Sequence, residues 1–139
     1  MAGIVRKIVK ITTAPAAIGP YSQAVIAGNT MYLSGQIGLI PGTKNMIEGG
    51  IVAETEQALK NMGEVLKSQG LTYNNVVKTT VLMADLEDFQ KMNAVYSRFF
   101  PKNPPARAAY QVARLPLDGQ VEIEAIAVLG HIVDDMSHL

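Results

Sequence analysis

Apolar and polar residues alternate with a period of two in several segments, and this alternation predicts β-strands. The segment "IVRKIVKI" is rich in β-branched residues and is predicted to be the first strand. Two more strands are predicted in "SQAVIAGNTMYLSGQIGL", joined by a turn at Gly28–Asn29. Three later runs have the same character: "NVVKTTVLMADL", "ARAAYQVARL" and "VEIEAIAVLG". The pattern therefore predicts six strands.

In two other segments the apolar period is that of a helix. A first amphipathic helix is predicted from Ile51 to Gln69, where Gly70 is placed to end it. Its polar side is predicted to carry Glu54, Glu56, Lys60, Glu64 and Lys67. A second helix is predicted from Leu86 to Phe100, capped by Asp85 and stopped by Pro101. Its apolar face is predicted to consist of Phe89, Met92, Tyr96 and Phe99.

The order of these elements predicts a single α+β domain over residues 1–139. Its core should span about residues 4–130 and be followed by a short polar tail, since no linker or internal repeat divides the 139 residues. Two helices on one face of a mixed or antiparallel sheet bury that face. The opposite face is left uncovered, and in a chain this small we expect a partner subunit to cover it.

Composition narrows the function classes. The 12 basic and 12 acidic residues cancel, so the overall charge indicates neither a polyanionic partner nor an anionic membrane surface. The absence of cysteine excludes a disulfide framework, a thiolate nucleophile and cysteine-ligated metal centres, and it fits an intracellular protein. No segment approaches the ~20 apolar residues of a membrane span. We therefore expect a soluble, cytoplasmic protein.

Both ends of the chain carry features that resemble targeting signals. The first acidic residue is Glu48, and a basic, acid-poor N-terminus is also typical of a mitochondrial presequence, although the strand interpretation is favoured. At the other end "SHL" resembles a weak variant of the peroxisomal "SKL" signal. A polar, frayed tail is the favoured interpretation of "HIVDDMSHL".

Arg107 in "PPARAAYQV" is the first candidate for chemistry. No acidic residue lies within ten positions of it on either side, and strand alternation places it beside the small Ala109. One interpretation is an ion pair with a glutamate of a neighbouring subunit. The other is that its planar set of donors binds a small carboxylate in a bidentate manner.

Glu122 and Glu124 alternate with an apolar row in the last strand. They are either a solvated or ion-paired strand face or, in an apolar rim, a source of a general base with a raised pKa. If the last two strands form a hairpin around "LDG", Arg107 lies near Val128, on the order of 20 Å from Glu122. One substrate could not touch both, so a shared site would require two chains.

Other chemistries have less support. His131 and His138 lie in the C-terminal tail, and no clustering of carboxylates indicates a metal site. Ser34 in "YLSGQIG" is not in a nucleophile-elbow sequence, and its glycines are those of a strand end with close backbone approach. Tyr21 in "GPYSQ" is either a core aromatic or a residue of the site.

The segments "IGPYSQAV", "YLSGQIG", "VVKTTVLMADLEDF", "PPARAAYQVARLP" and "VEIEAIAV", in this order, resemble the Rid family of reactive intermediate deaminases, also called the YjgF family. The resemblance covers Ile8–Gly130 and is strongest to animal-type members. It implies a chorismate-mutase-like fold and a homotrimer with sites in the clefts between subunits. It also implies hydrolysis of enamines and imines such as 2-iminobutanoate and 2-iminopropanoate to 2-oxo acids and ammonia, without a cofactor or metal.

The resemblance also assigns roles to individual positions. Arg107 matches the arginine that binds the substrate carboxylate, and Glu122 matches the acid that positions or activates water. Lining or ligand-contacting positions are matched by Tyr21, Ser34, Gly35 and Asn93. Many members carry a cysteine where this chain has Ala109, so thiol chemistry is excluded while a contact through the Ala109 backbone remains.

Two other functions remain open. Some family members have been described as translation inhibitors or endoribonucleases, which would require the fold to bring together the basic residues Arg6, Lys7, Lys10 and Lys44. A non-catalytic trimer that binds small carboxylates, or offers a chaperone-like surface, would retain Arg107 but lose nothing on Glu122→Gln.

Overall fold

A six-stranded mixed sheet with two helices on one face forms the framework of the chain. The structure is a computed structural model that describes residues 3–139; Met1 and Ala2 lie outside the described residues. The helices are α1 (Gly50–Ser68) and α2 (Phe89–Phe99). The strands are β1 (Arg6–Val9), β2 (Ala24–Ala27), β3 (Thr30–Gln36), β4 (Val76–Met83), β5 (Ala106–Gln111) and β6 (Val121–Val128). The predicted α+β class and element order are confirmed.

The strand order is β1-β2-β3-β6-β4-β5, and only the β4–β5 pair is parallel. The hairpin considered for the last two strands does not form, because β4 lies between β5 and β6. The physical reason is burial: β6 alternates buried residues with partly buried or exposed ones and is paired on both sides, whereas β5 is largely exposed and occupies an edge. Helix α2 forms the crossover that the parallel pair requires.

The hydrophobic core lies between the helices and one face of the sheet. The predicted apolar face of α1 is buried in full, from Ile51 to Leu66. It packs in one cluster with the buried row of β6, which consists of Val121, Ile123, Ala125 and Ala127. On the opposite face Tyr32 and Tyr110 remain about half exposed, at 51% and 50%. The expectation of one covered and one uncovered face is therefore confirmed for the single chain.

The boundaries of two predicted elements change slightly. The N-terminal segment forms a strand as predicted, over the shorter range Arg6–Val9. The second helix does not begin at Leu86, since Leu86–Asp88 is a 3-10 turn and α2 starts at Phe89. Asp85 caps that turn by accepting a hydrogen bond from the Glu87 N–H. Within residues 3–139 no helix is long and apolar enough to cross a membrane.

Glu54 departs from its predicted place on the polar side of α1. It is only 5% exposed, and its Oε1 accepts a hydrogen bond of 2.9 Å from the Gln120 N–H at the start of β6. The loop after β3 covers this turn of α1, and a Cβ at Gly38 would lie 2.8 Å from the Glu54 Cα, so only glycine permits that approach. Burial raises the pKa of Glu54 above its ordinary value, with the Gln120 bond opposing the rise.

We expect Glu54→Gln to be as stable as the wild type or more stable at neutral pH. A carboxyl whose pKa is raised on folding stabilises the native state fully below its ordinary pKa of 4.5, and this contribution is lost as pH rises through the folded value. Glutamine keeps the acceptor oxygen and never ionises, so stability should depend less on pH above 4.5. Glu54→Ala leaves the Gln120 N–H unpaired and should cost about 1–3 kcal/mol.

Urea unfolding of the three proteins on both sides of this pH range measures the effect. A Glu54→Ala chain as stable as the wild type would show that the Gln120 bond contributes nothing. A Glu54→Gln chain that is markedly less stable at neutral pH would contradict the assigned cost of burying the charge.

Candidate active site

The carboxylate of Glu122 lines a cleft of about 310 Å³ on the sheet face away from the helices. We call this the Glu122 cleft. Four predicted site residues share it: Tyr21, Ser34, Gly35 and Glu122. The fold therefore brings together residues that are up to 101 positions apart, from the connector before β2, from β3 and from β6.

A β-bulge in β3 shapes one wall of the Glu122 cleft. Leu33 pairs with Ala125 and Gln36 pairs with Ile123, so β3 contains one residue more than β6 over this interval. The irregular residues are Ser34–Gly35. A bulge bends the strand and redirects its side chains, which here places the serine and glycine at the cleft.

Local contacts hold Ser34 and make room beside Gly35. The Ser34 hydroxyl donates to the Ser22 carbonyl at 2.5 Å, and the Ser34 N–H donates to the Gln23 carbonyl at 3.0 Å. A Cβ at Gly35 would lie 2.8 Å from the Glu122 side chain. A side chain at this position would therefore displace the Glu122 carboxylate, whereas the backbone angle of Gly35 is one that any residue adopts.

The connector before β2 is fixed by Gln23, a residue that the sequence did not indicate. Its side chain accepts from the Ile11 N–H at 2.7 Å and donates to the carbonyls of Ile11 and Pro15 at 3.2 Å and 2.8 Å. Tyr21 is half exposed, and its hydroxyl accepts from the Ile18 N–H at 3.2 Å. Tyr21 therefore lines the cleft and does not pack in the hydrophobic core, which was the other interpretation of this residue.

Two causes raise the pKa of Glu122 above its ordinary value: partial burial, which is the larger, and the neighbouring negative charge of Glu124. Within residues 3–139 no basic side chain lies within ion-pair distance of either glutamate. A carboxylate with a raised pKa is a stronger base than one in open solvent.

Arg107 occupies a second place, held by three residues of α2 that we call the Arg107 cradle: Phe89, Asn93 and Tyr96. Arg107 Nη1 donates to Asn93 Oδ1 at 2.8 Å. The guanidinium carbon lies 5.5 Å from the Phe89 ring centroid and 4.8 Å from that of Tyr96, distances typical of cation–π contacts. No carboxylate of residues 3–139 lies within 4.0 Å of Arg107. The remaining donors of the guanidinium are therefore open to a ligand.

Ala109 lies two residues after Arg107 on the same side of β5 and packs against the core. Because β5 is an edge strand, part of its backbone faces away from β4. The side chain offers no chemistry, and a contact with a ligand through the Ala109 backbone stays a prediction.

A single chain keeps the Glu122 cleft and the Arg107 cradle apart. Arg107 pairs with Thr79, which pairs with Ala125, three residues from Glu122. Strand spacing and rise give about 14 Å between the Cα atoms of Arg107 and Glu122, not the 20 Å expected from a hairpin. The two side chains also point to opposite faces, since Arg107 contacts α2 whereas Glu122 lies on the uncovered face.

The basic residues that an RNA-binding surface would require are only partly brought together. Lys10 and Lys44 line one groove of about 1220 Å³, and neither Arg6 nor Lys7 lines it. Among residues 3–139 no group of three or more histidine, aspartate or glutamate side chains could hold a metal ion.

Comparison with known proteins decides the family. The family model described as Endoribonuclease L-PSP matches residues 11–129. The chain belongs to this family. It is the family that the sequence motifs indicated under the name Rid or YjgF, so the resemblance is confirmed.

Three relatives illustrate the similarity. The mouse protein named 2-iminobutanoate/2-iminopropanoate deaminase is 56% identical over 96% of this chain and 98% of its own length. The crystal structure of RidA from an Antarctic Psychrobacter is 44% identical, with a TM-score of 0.85 over 88% of this chain and 99% of that one. The structure of E. coli TdcF with bound serine is 39% identical, with a TM-score of 0.84 over 89% of this chain and 99% of that one.

We expect the pKa of the Glu122 carboxyl to lie above its ordinary value of 4.5. The measurement is made in Arg107→Ala protein, because this variant removes any guanidinium that a neighbouring chain would supply. Adding Glu124→Gln should lower the pKa of Glu122 only in part, because burial is the larger cause. NMR titration of the ¹³C-labelled side-chain carboxyl measures both. Glu87→Gln, on an exposed turn, is the control. Titration of Glu122 at or below 4.5 would contradict the assigned burial.

Proposed function

We propose that this protein hydrolyses 2-imino acids and their enamine tautomers, including 2-iminobutanoate and 2-iminopropanoate, to 2-oxo acids and ammonia. The observation that carries the proposal is the 56% identity, over 96% of the chain, to the mouse enzyme named for this reaction. The Glu122 cleft and the Arg107 cradle provide the two kinds of group that the reaction needs: a base for water and a cation for the substrate carboxylate.

The working enzyme is a homotrimer in which the Arg107 cradle of one chain meets the Glu122 cleft of the next. Three observations support this arrangement. The two groups lie on opposite faces of one sheet, Arg107 is on an edge strand, and Tyr32 and Tyr110 leave apolar surface on the face without helices. A cyclic assembly of identical chains would complete three equivalent sites.

Arg107 binds the substrate carboxylate. Its Nη1 is already used by Asn93, which orients the planar group while leaving the other donors for two parallel bonds to carboxylate oxygens. Lysine could not reproduce this geometry. The Asn93 amide, which bonds Arg107, and the backbone of Ala109, two residues further along β5, provide further contacts to the substrate.

Glu122 accepts a proton from water as that water attacks the carbon of the protonated imine. The new C–O bond forms while the C=N π electrons move to nitrogen, which gives a carbinolamine. The protonated Glu122 then donates this proton to the carbinolamine nitrogen, and ammonia leaves as the C=O bond forms. The hydroxyl proton passes to the departing ammonia, which gives ammonium and leaves Glu122 as the carboxylate again. The carboxylate also stabilises the iminium charge before attack, and holding both reactants together reduces the entropic part of the barrier.

Residues around Glu122 orient the water. Because the Tyr21 hydroxyl accepts a hydrogen bond from the Ile18 N–H, its own proton is available to a water molecule or a substrate. Gly35 leaves the space that the carboxylate occupies, and Ser34 holds that bulge against the connector. The Ser34 hydroxyl is not placed to act as a nucleophile, because both described histidines, which could activate it as bases, lie in the C-terminal tail.

RNA cleavage is the second candidate, because the family model carries the description Endoribonuclease L-PSP. The groove that contains Lys10 and Lys44 is the surface on which RNA would bind. Binding there would weaken steeply with salt and would be insensitive to Glu122→Gln, which separates it from the deaminase reaction.

We expect both Arg107→Ala and Glu122→Gln to abolish most of the acceleration of imine hydrolysis. Loss of the bidentate carboxylate contact should lower kcat/KM about 100-fold, and loss of the base should lower kcat by about 100-fold or more. Threonine dehydratase in excess supplies 2-iminobutanoate from threonine, and the appearance of 2-oxobutanoate and ammonia is followed against uncatalysed decay.

Arg98→Ala is the matched control, since Arg98 is exposed on the same helix and pairs with Glu56 at 3.6 Å. Full acceleration by folded Glu122→Gln would refute the role of Glu122 as the base. No acceleration by folded wild-type protein would refute the function for these substrates.

Mixing the two inactive variants should restore activity if each site takes residues from two chains. After joint unfolding and refolding at equal concentrations, one site in about four receives Arg107 from one chain and Glu122 from the next, which predicts about a quarter of the wild-type rate. The same variants refolded separately should stay inactive. Verified mixed oligomers without recovered activity would refute the shared site.

A further inference from the structure

The Arg107 cradle occupies one side of α2 at positions i, i+4 and i+7, so three side chains from consecutive turns face the same guanidinium. We propose that Tyr96 is a positioning residue for Arg107 and that the Thr79 hydroxyl fixes Tyr96 in that role. The inference rests on the proposed function in one respect: Arg107 is taken to bind the substrate carboxylate.

A closed series of contacts supports this role. The Tyr96 hydroxyl and Thr79 Oγ1 are hydrogen-bonded at 2.7 Å, and the two residues are 6% and 0% exposed. Thr79 is also the in-register neighbour of Arg107 in the β4–β5 pair. The ring of Tyr96 is therefore fixed relative to the backbone position from which Arg107 extends, and the guanidinium lies against that same ring.

Arg107 needs such support because its side chain is exposed and long. A free arginine loses rotamer entropy whenever it binds a carboxylate. Here one Nη1 bond to Asn93 and two aromatic contacts restrict the guanidinium before a ligand arrives, and no carboxylate of residues 3–139 holds it instead. Weakening the restraint should impair substrate binding and leave the chemistry at Glu122 largely unchanged.

A purely structural role for Tyr96 is the competing explanation, because its ring also packs 4.7 Å from that of Phe100. Tyr73 offers a matched comparison. Its hydroxyl donates to the Leu59 carbonyl at 2.6 Å, and its ring packs edge-on against Phe99 and Phe100. The Tyr73 hydroxyl bonds to α1, away from the Arg107 cradle, so Tyr73→Phe loses a comparable bond without a direct effect on Arg107.

The experiment compares Tyr96→Phe, Thr79→Val and the double variant in imine hydrolysis and in binding of 2-oxobutanoate. Each single variant should raise KM and the 2-oxobutanoate Kd about threefold, with kcat within about twofold of the wild type. The double variant should do no more, since both changes break the same bond. Tyr73→Phe should lower the Tm by a similar amount and leave KM and Kd unchanged.

Removing the ring gives the larger effect. Tyr96→Leu should raise KM and Kd about tenfold, in line with loss of a partly desolvated cation–π contact, and Tyr96→Phe should recover most of it. The Nε–H resonance of Arg107, assigned by its absence in Arg107→Ala, should lose the Tyr96 contribution to its ring-current shift in Tyr96→Leu, while the Phe89 contribution remains. This signal reports on the guanidinium whether or not the protein is a deaminase.

The outcomes separate the inference from the proposed function. Unchanged KM and Kd in folded Tyr96→Leu, or equal increases in Tyr73→Phe, overturn the positioning role. A wild type that binds 2-oxobutanoate through Arg107 but does not hydrolyse imines refutes the deaminase, while weaker binding in Tyr96→Leu still supports the inference. A wild type that does not bind 2-oxobutanoate overturns the inference, since the cradle would then not position a carboxylate ligand.

Discussion

Successive side chains of β6 must point to opposite faces of the sheet, and the rest of the structure depends on this constraint. One row of β6 is buried under the helices, and the other row carries Glu122 and Glu124 to the uncovered face. Any slip of one residue would place both carboxylates in the core. Contacts at the start of β6 hold the register, where Glu54 accepts from the Gln120 N–H and the Ala84 N–H donates to the Gln120 carbonyl at 3.0 Å.

The same alternation divides the chemistry of the chain between two faces. Arg107 extends toward α2 on a strand at the edge of the sheet, whereas Glu122 opens to the other side. In the proposed trimer the carboxylate of one substrate would contact one chain while its imine carbon faced another. Substrate binding and assembly would then be thermodynamically linked, because a ligand that bridges two chains stabilises the assembled state.

Helix α2 connects stability with the candidate site. Tyr96 is part of the hydrophobic core, and Phe89 packs against it, yet both rings also contact the Arg107 guanidinium. The helix is amphipathic for the ordinary reason that one side must be buried. The core of the chain therefore also restrains an exposed charged side chain, and a mutation that repacks this corner would affect both.

Hydrophobic periodicity by itself determined the number, type and order of the strands and helices, because burial of one face imposes a period on each local segment. The family motifs named the site residues, and one of them, Asn93, proved to hold Arg107. The period could not determine which strands pair, since alternation in β5 is the same whether its neighbour is β4 or β6. Three features are visible only in the tertiary structure. Strand β4 lies between β5 and β6, Glu54 is buried although it was expected on the polar side of α1, and β3 contains a bulge at Ser34–Gly35. Each of these depends on contacts between segments distant in sequence, which no local pattern contains.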